Sequence, residues 1–459
     1  MQEVMKMSRF KQLKPKFKAP SNQVVRKNLS QDAMTIAARN IFVDITDHRK
    51  RDCKISLPDA LMSGYAMFAL KDPSLLMFDN RRANDDGNLN RVFGIKNVPS
   101  DSQMREILDP VDPDSLRPLF KEIFFQLQRG KALEPLIYYQ GCYLLSVDGT
   151  GSFSSTKLSS ASCLEKKSKK TGVITYHQQV LGAAIVHPDY REVIPLAPEM
   201  IIKQDGSSKN DCERNAAKRF LQKVRQDHPR LGLIVIEDGL SSNAPHIKEL
   251  QSVDMHYILG AKEGDHPLLF QNLAAAATSG EAVEFRMVDE KNPKITHRFR
   301  FLNNTPLNQS NLDLKINVLE YWEESDNKTL HFAWVTDFAI TKDNAYILMR
   351  GGRARWKIEN ETFNTLKNQG YNFEHNYGLG KKHLSEVFVM LMMFAFLIDQ
   401  TQQLTSALFK AAWQKLGTKR ALWENIRNLF YSYEVESMEM IYRAIVNGFR
   451  KVVLEPNNT

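Results

Sequence analysis

The sequence predicts an α/β protein: a mixed sheet interrupted by a β-rich insertion and flanked by helical N- and C-terminal regions. Three observations carry this. Residues 142–259 string short apolar runs and amphipathic segments in the order strand, strand, strand, helix, strand, helix, strand. Residues 265–345 switch to period-two segments such as Ala282-Val-Glu-Phe-Arg-Met-Val and His297-Arg-Phe-Arg-Phe, which suit edge or hairpin strands. Residues 30–135 and 383–448 repeat apolar residues at three- and four-residue spacing, the mark of helices with one buried stripe.

Each element follows from local chemistry. Residues 1–28 hold eight basic residues (Lys6, Arg9, Lys11, Lys14, Lys16, Lys18, Arg26, Lys27) against Glu3, so +7 of the net +9 sits in one short arm. This reads as a flexible cationic arm, either a solvated tail or a grip on phosphates. Residues 29–135 form a helical region, a candidate DNA-end-binding domain without a helix-turn-helix signature. Helical runs cover 55–68 and 116–127, a polar turn-rich stretch covers 79–90, and Ser100 or Asp101 caps a helix. The first strand, Tyr143-Leu-Leu-Ser-Val, stops at the turn Asp148-Gly-Thr-Gly. Strands at Gln179–Val186 and Val193–Ile202 follow, then a helix over Asn210–Asp227 with Ala216, Ala217, Phe220, Leu221 and Val224 on one face. Leu231-Gly-Leu-Ile-Val-Ile is apolar throughout, fitting a central buried strand that stops at Glu237-Asp238-Gly239. A helix near Ala244–Leu250 and a strand at His256–Leu259 complete the set. A three-strand meander followed by crossovers matches the mixed sheet of the ribonuclease H fold. The predicted catalytic domain spans 136–264 and 346–395, with the insertion at 265–345, a strongly helical Arg355–Gln369 closed by Gly370, and a helical C-terminal region at 396–459.

Composition narrows the class. Apolar residues make up 42% and aromatics 10%, enough for real cores, which excludes a disordered chain. Four scattered cysteines (Cys53, Cys142, Cys163, Cys212) without a CxxC pair exclude a disulfide framework and a structural zinc site. The basic N-terminus lacks the apolar stretch of a secretory leader. The longest apolar run, Val387–Ile398, has 12 residues where a membrane span needs about 20, so it reads as a buried helix. The expectation is a soluble protein of a reducing compartment, with no membrane partner.

Three acids stand out by position. Asp148 follows the first strand and Asp238 the fourth; in a sheet of this order these are central neighbours, and their ends lie where α/β sheets place ligands. Glu359 sits on the later helix, which packs across that edge. Converging carboxylates repel unless a divalent cation neutralises them, and oxygen-only ligands suit Mg²⁺ or Mn²⁺, two ions about 3.5–4 Å apart for phosphodiester cleavage. Each acid alone has a plainer reading: an Asp-Gly turn, or for Glu359 an i,i+4 ion pair with Arg355. The combination is far more specific than any member.

At these residues the chain resembles a DDE transposase of a bacterial insertion sequence, in the branch with a β-strand insertion domain before the catalytic Glu. The resemblance rests on Leu145-Ser-Val-Asp148-Gly-Thr-Gly, Ile236-Glu-Asp238-Gly and Arg355-Trp-Lys-Ile-Glu359-Asn-Glu-Thr-Phe-Asn-Thr-Leu-Lys367. The flanks Lys367-Asn-Gln-Gly-Tyr-Asn-Phe and Lys209-Asn-Asp-Cys-Glu-Arg-Asn add to it, and it spans 142–395. It implies that Asp148, Asp238 and Glu359 are the catalytic and metal-binding residues of a Mg²⁺-dependent endonuclease and strand transferase. Such an enzyme cleaves phosphodiester bonds at transposon ends and transfers the 3′ strand ends to target DNA. It implies duplex DNA as partner, a homodimer on DNA, and a bacterial cytoplasmic protein, nucleoid-associated when bound. It further implies phosphate contacts by Arg355 and Lys367. Trp322 of the insertion either stacks on an unpaired base or packs inward. The family pattern is Tyr, two residues, Arg, three, Glu, six, Lys. Here Gly352 takes the Tyr slot and seven residues separate Glu359 from Lys367, which leaves Glu361 as a competitor. Arg355 keeps its spacing to Glu359, and two helical residues point about 200° apart, so Glu359 and Glu361 cannot both face the metals. A ribonuclease H-like nuclease without strand transfer and a catalytically idle DNA-binding derivative remain the alternative classes.

Overall fold

The computed structural model describes residues 27–49, 53–83, 87–201 and 213–448, with short segments at 4–5 and 455–456. The cationic arm expected over 1–28 lies outside the described residues except for 4–5 and its last two positions. The chain opens with six helices: α1 Gln31–Asp44, α2 Leu57–Ala69, α3 Leu75–Arg82, α4 Asn88–Phe93, α5 Asp101–Leu108 and α6 Arg117–Arg129. Serine starts four of them, because its hydroxyl takes a first-turn N–H that has no partner within the helix. Ser30, Ser56 and Ser74 each accept from the third residue beyond, and Ser100 closes a capping box with Gln103. The cap of α5 is therefore Ser100, not Asp101, and the stretch 79–90 contains parts of two helices.

The central sheet follows: β1 Cys142–Ser155, β2 Ile174–Val186, β3 Glu199–Ile201, β4 Leu233–Glu237 and β5 His256–Gly260. β1 pairs antiparallel with β2 and β2 with β3, whereas β1, β4 and β5 run parallel, giving the order β3-β2-β1-β4-β5. β4 is buried along its whole length, as its Leu-Ile-Val-Ile run requires when both faces of a parallel strand are covered. The crossovers are α7 Glu213–Asp227, which buries Ala216, Ala217, Phe220, Leu221 and Val224, and α8 Ala244–Ser252.

Two strand boundaries differ from the sequence reading. β1 does not stop at Asp148; it continues to Ser155, paired with β2 from Asp148 opposite Gly182 to Ser155 opposite Tyr176. The glycines that suggest a turn sit here in extended backbone. The expected strand at Val193–Ile202 is split into Ile194–Pro195 and Glu199–Ile201. Pro195 and Pro198 carry no N–H, so the ladder cannot run through them.

Beyond β5 the chain makes α9 Pro267–Ser279, then β6 Val283–Val288, β7 Thr296–Asn308, β8 Asn311–Ser325 and β9 Lys328–Thr336. These four strands are antiparallel neighbours in order, and β9 pairs back onto β5 with Trp334 opposite Gly260. The inserted strands thus extend the central sheet. The period-two pattern passes over α9, whose Leu273-Ala-Ala-Ala-Ala stretch is helical by propensity.

The chain returns through α10 Ala345–Arg353, a π turn at Ile358–Phe363, and α11 Asn364–Asn368. It ends in α12 Leu384–Thr405, α13 Ala407–Leu416, α14 Lys419–Ser432 and α15 Met438–Asn447. By length and hydropathy α12 could cross a membrane, yet here it is entirely enclosed by the fold. Gly64 of α2 makes the close approach possible: a Cβ there would meet Leu391 of α12 at 2.8 Å. Phe394 packs against Tyr65 and Phe120, with ring centroids 5.2 and 5.9 Å away. The α15 backbone N–H of Met438 donates to Asp32 of α1 at 2.7 Å. The regions expected at 29–135 and 396–459 therefore form one helical body around α12. Length and periodicity place helices but do not say which helices share a core.

Candidate active site

The register of the sheet sets Asp148 and Asp238 side by side. Ser146 of β1 is level with Ile236 of β4 in the parallel ladder, so the residues two beyond each stand at the same height. Asp238 lies in the turn that ends β4, its Oδ1 accepting from the Leu240 N–H at 2.9 Å. Gly260 of β5 lets that turn fold down, since a Cβ there would come within 3.1 Å of the Gly239 nitrogen. The Asp148 Oδ1 accepts from its neighbour's N–H, Gly149, at 2.9 Å, and its Oδ2 accepts from Arg355 Nη1 at 3.2 Å.

Glu359 arrives from the other side of the chain. The sequence predicts an unbroken helix over 355–369; the structure has a turn at 354–355, two helical residues at 356–357 and one π turn at 358–363. There the Asn364 N–H reaches the Glu359 carbonyl, five residues back. A π turn takes up one more residue than an α turn. Two contacts pin the segment to the sheet. Ser146 Oγ donates to the Arg355 carbonyl at 2.9 Å. Phe363 lies on Gly182, where a Cβ would approach its ring to 2.7 Å. Gly182 is the partner of Asp148, so the π turn lies beside that carboxylate.

The charges register this convergence. Burial raises the Asp148 carboxyl above its ordinary value, with Asp238 and Glu359 pushing the same way while Arg355 and the Gly149 N–H oppose them. Glu361, two residues on, faces elsewhere: its Oε1 is 3.9 Å from Arg191 Nε, in a separate cleft beside α14. The structure thus sets Asp148 beside Asp238 and pairs Asp148 with Arg355, while Glu359 does not line their cleft and reaches Asp148 only through its charge. It does not bring Lys367 to them, since that ammonium pairs with Glu374 at 2.9 Å. Trp322 neither packs inward nor offers a free ring. Its cross-strand neighbours flank it, Arg298 with its guanidinium 3.8 Å from the ring centroid and His331 stacked at 4.8 Å. Gly352 is pressed against the Trp334 indole, which occupies the space a side chain would need.

Three further residues that sequence pattern does not single out border the site. Glu213, at the start of α7, sits directly over Gly149, whose missing side chain leaves the room. Burial raises its carboxyl, and Asp148, Asp238 and Glu237 add to the shift. Glu237, next to Asp238, is buried against His246 of α8. Burial pushes the imidazole down, but the Glu237 charge and hydrogen bond prevail and hold it above its usual value. The signals were an acid at a helix start and an acid before Asp238, both too common to single out. Together these groups border a cleft of about 520 Å³ with Asp148 and Asp238 in its wall.

The cleft is lined by the carboxylates of Asp148, Asp238, Glu213 and Glu237 together with Arg214, the Glu237-bound His246 and neutral polar side chains, with no thiolate among them; a site richest in carboxylate oxygen suits a hard divalent cation. Among the described residues, no three acids, histidines or cysteines form a ready-made cage. Mg²⁺ seldom uses one; it is held by one or two carboxylates and completes its shell with water and substrate phosphate. Asp148 and Asp238 fit that mode, with Glu359 and Glu213 near.

The chain matches no protein-family model and no curated protein. Among solved structures it is similar to the NurA nuclease from Sulfolobus solfataricus, at 11% identity and a TM-score of 0.23, over 52% of this chain and 84% of that one. A likeness of that size carries neither fold nor activity across.

Proposed function

We propose that the protein is a DDE transposase with a ribonuclease H-like catalytic domain. It would cleave phosphodiester bonds at transposon ends and join the freed 3′ ends to target DNA. The observation that supports this best is Asp148 and Asp238 side by side in the wall of one cleft, with the charges of Asp238 and Glu359 both bearing on Asp148. The strand order β3-β2-β1-β4-β5, antiparallel then parallel, is the second support. Asp148, Asp238 and Glu359 would hold two Mg²⁺ or Mn²⁺ ions. Bound there, such ions supply an activated water or 3′-hydroxyl and stabilise the leaving oxygen in an in-line displacement. The chain's own part is positional. Ser146 and Gly182 fix the segment that carries Glu359, and Arg355 neutralises Asp148 until cations and DNA arrive. A guanidinium released from a carboxylate is then free to fork onto a phosphate. DNA as partner, a homodimer on the DNA, and a bacterial cytoplasmic setting belong to the same proposal.

A nuclease without strand transfer is the second reading, because the same residues would serve hydrolysis equally. The test is a duplex carrying the inverted repeats that flank the gene, incubated with the protein, Mg²⁺ or Mn²⁺ and a target plasmid. Cleavage plus joined product supports the transposase. Metal-dependent cleavage without joining supports the nuclease. No metal-dependent cleavage overturns both.

A further inference from the structure

On the far side of the π turn from Asp148 lies a second cleft, of about 290 Å³, into which Glu361 rather than Glu359 faces. Its floor is the N-terminus of α14, a 14-residue helix capped by Thr418, whose Oγ accepts from the Ala421 N–H at 3.2 Å. The N–H groups of the first turn have no acceptor within the helix, and the dipole puts positive charge there. The second, independent feature is Gln403 of α12. It is 5% exposed, lines this cleft, and its Nε2 has no hydrogen-bond partner. A buried amide donor without an acceptor is costly and calls for one. Three cations surround the space. Lys419 forms no ion pair among the described residues, its Nζ resting 5.1 Å over the Trp413 ring. Arg420 and the largely exposed Arg191 stand at the rim, the latter 3.9 Å from Glu361. Arg420 Nη2 already donates to the Asn368 carbonyl at 3.5 Å and Glu361 is the acid of the wall, set against Arg191; the Gln403 amide, the α14 N–H groups and Lys419 are the donors left over, and they suit an oxyanion.

We propose that this cleft is a phosphate-binding subsite, taking a backbone phosphate of the DNA strand that passes the Asp148–Asp238–Glu359 group. The assignment of the anion to DNA rests on the nucleic-acid reading above. A helix is about 10 Å across, so a strand at the carboxylates reaches the cleft within a few nucleotides. Lys419, Arg420 and the α14 N–H groups hold the phosphate oxygens, Gln403 Nε2 donates a further hydrogen bond, and Arg191 turns from Glu361 toward the strand. Burial holds the Lys419 ammonium below its usual range, and a bound anion would restore it.

The test is duplex DNA binding in EDTA across a salt series, for the wild type, Lys419→Gln, Arg420→Gln and Gln403→Leu. EDTA removes the need for cleavage, so the result stands whether or not the carboxylates act as proposed. The subsite predicts that the two charge removals each weaken binding roughly 3–10-fold and flatten the salt slope by about 0.9, one phosphate's worth. Gln403→Leu should weaken binding with the slope unchanged, because the lost donor is neutral. A thermal-shift titration with inorganic phosphate runs beside it. Phosphate stabilisation of the wild type that Lys419→Gln loses, with DNA slopes identical in all four proteins, would mean the cleft takes a free anion, and the DNA assignment falls. Unchanged affinity and slope in both Lys419→Gln and Arg420→Gln, with no phosphate stabilisation, overturns the subsite altogether. Flattened slopes in a protein that never cleaves DNA would keep the subsite and discard the catalytic reading.

Discussion

Glu213 shows how one missing side chain shapes the site. Its carboxylate occupies the space above Gly149, next to Asp148, and it gains no basic partner there among the described residues. Its carboxyl is raised by burial and by three neighbouring acids, so the folded state holds its proton more tightly than the unfolded chain does. Stability from this group is therefore greatest below pH 4.5, its ordinary value, and declines as the pH climbs through the raised one. Glu213→Gln should accordingly have a higher Tm than the wild type at pH 7, and the gap should close by pH 4. Adding Mg²⁺ or Mn²⁺ at pH 7 should narrow it from the other side, by stabilising the wild type more. Thermal denaturation at both pH values, with and without the ion, reads all of this. A variant less stable than the wild type at pH 7 would mean the carboxylate is satisfied as it stands.

At the scale of elements, the π turn is the feature on which the site depends. It keeps Ile358 and Phe363 buried on the sheet while the charge of Glu359 acts on Asp148 and Glu361 lines the cleft beside α14. Gly182 is the seat for this segment, and any Cβ would drive Phe363 off it. Gly182→Val should cost about 1–3 kcal/mol, the usual penalty of overpacking, and lower cleavage more than DNA binding. Chemical denaturation and a cleavage assay measure the two effects. An unaltered cleavage rate would mean the segment is not held by this contact. Much of this element was legible beforehand. Asp148, Asp238 and Glu359 stand out by position, α7 by periodicity and β4 by its unbroken apolar run. The π turn was not, because an inserted residue in a helical pattern reads simply as more helix. Nor was the course of β1 through Asp148, since Asp-Gly-Thr-Gly has the composition of a turn and only the pairing with β2 makes it strand. The partners of Lys367 and Trp322 depend on Glu374, Arg298 and His331, contacts that local pattern does not specify.

Across the whole molecule, the helical body and the central sheet are tied by α12. A buried ion pair sits at its middle: Lys71 Nζ lies 2.6 Å from Asp399 Oδ2, both nearly inaccessible, and Tyr371 donates to the same carboxylate. The Lys71 ammonium also rests 4.4 Å over the Trp423 ring of α14. Removing one partner leaves an uncompensated buried charge, so Lys71→Met or Asp399→Leu alone should each cost about 3–5 kcal/mol. The double variant should recover much of that loss, as the charge is then gone from both sides. Equilibrium unfolding of the three variants tests the coupling; additive losses would show that the pair does not act as a unit.

The central claim is that Asp148, Asp238 and Glu359 form one metal-dependent phosphodiester-cleaving site. It is tested most directly by cleavage of an end-bearing duplex by Asp148→Asn, Asp238→Asn, Glu359→Gln and Glu361→Gln, with DNA binding measured on the same samples. An amide oxygen is a poor ligand for Mg²⁺ beside a carboxylate, so the first three should bind DNA yet fail to cleave it, and Glu361→Gln should cleave. Full activity in Glu359→Gln together with a dead Glu361→Gln would contradict the account.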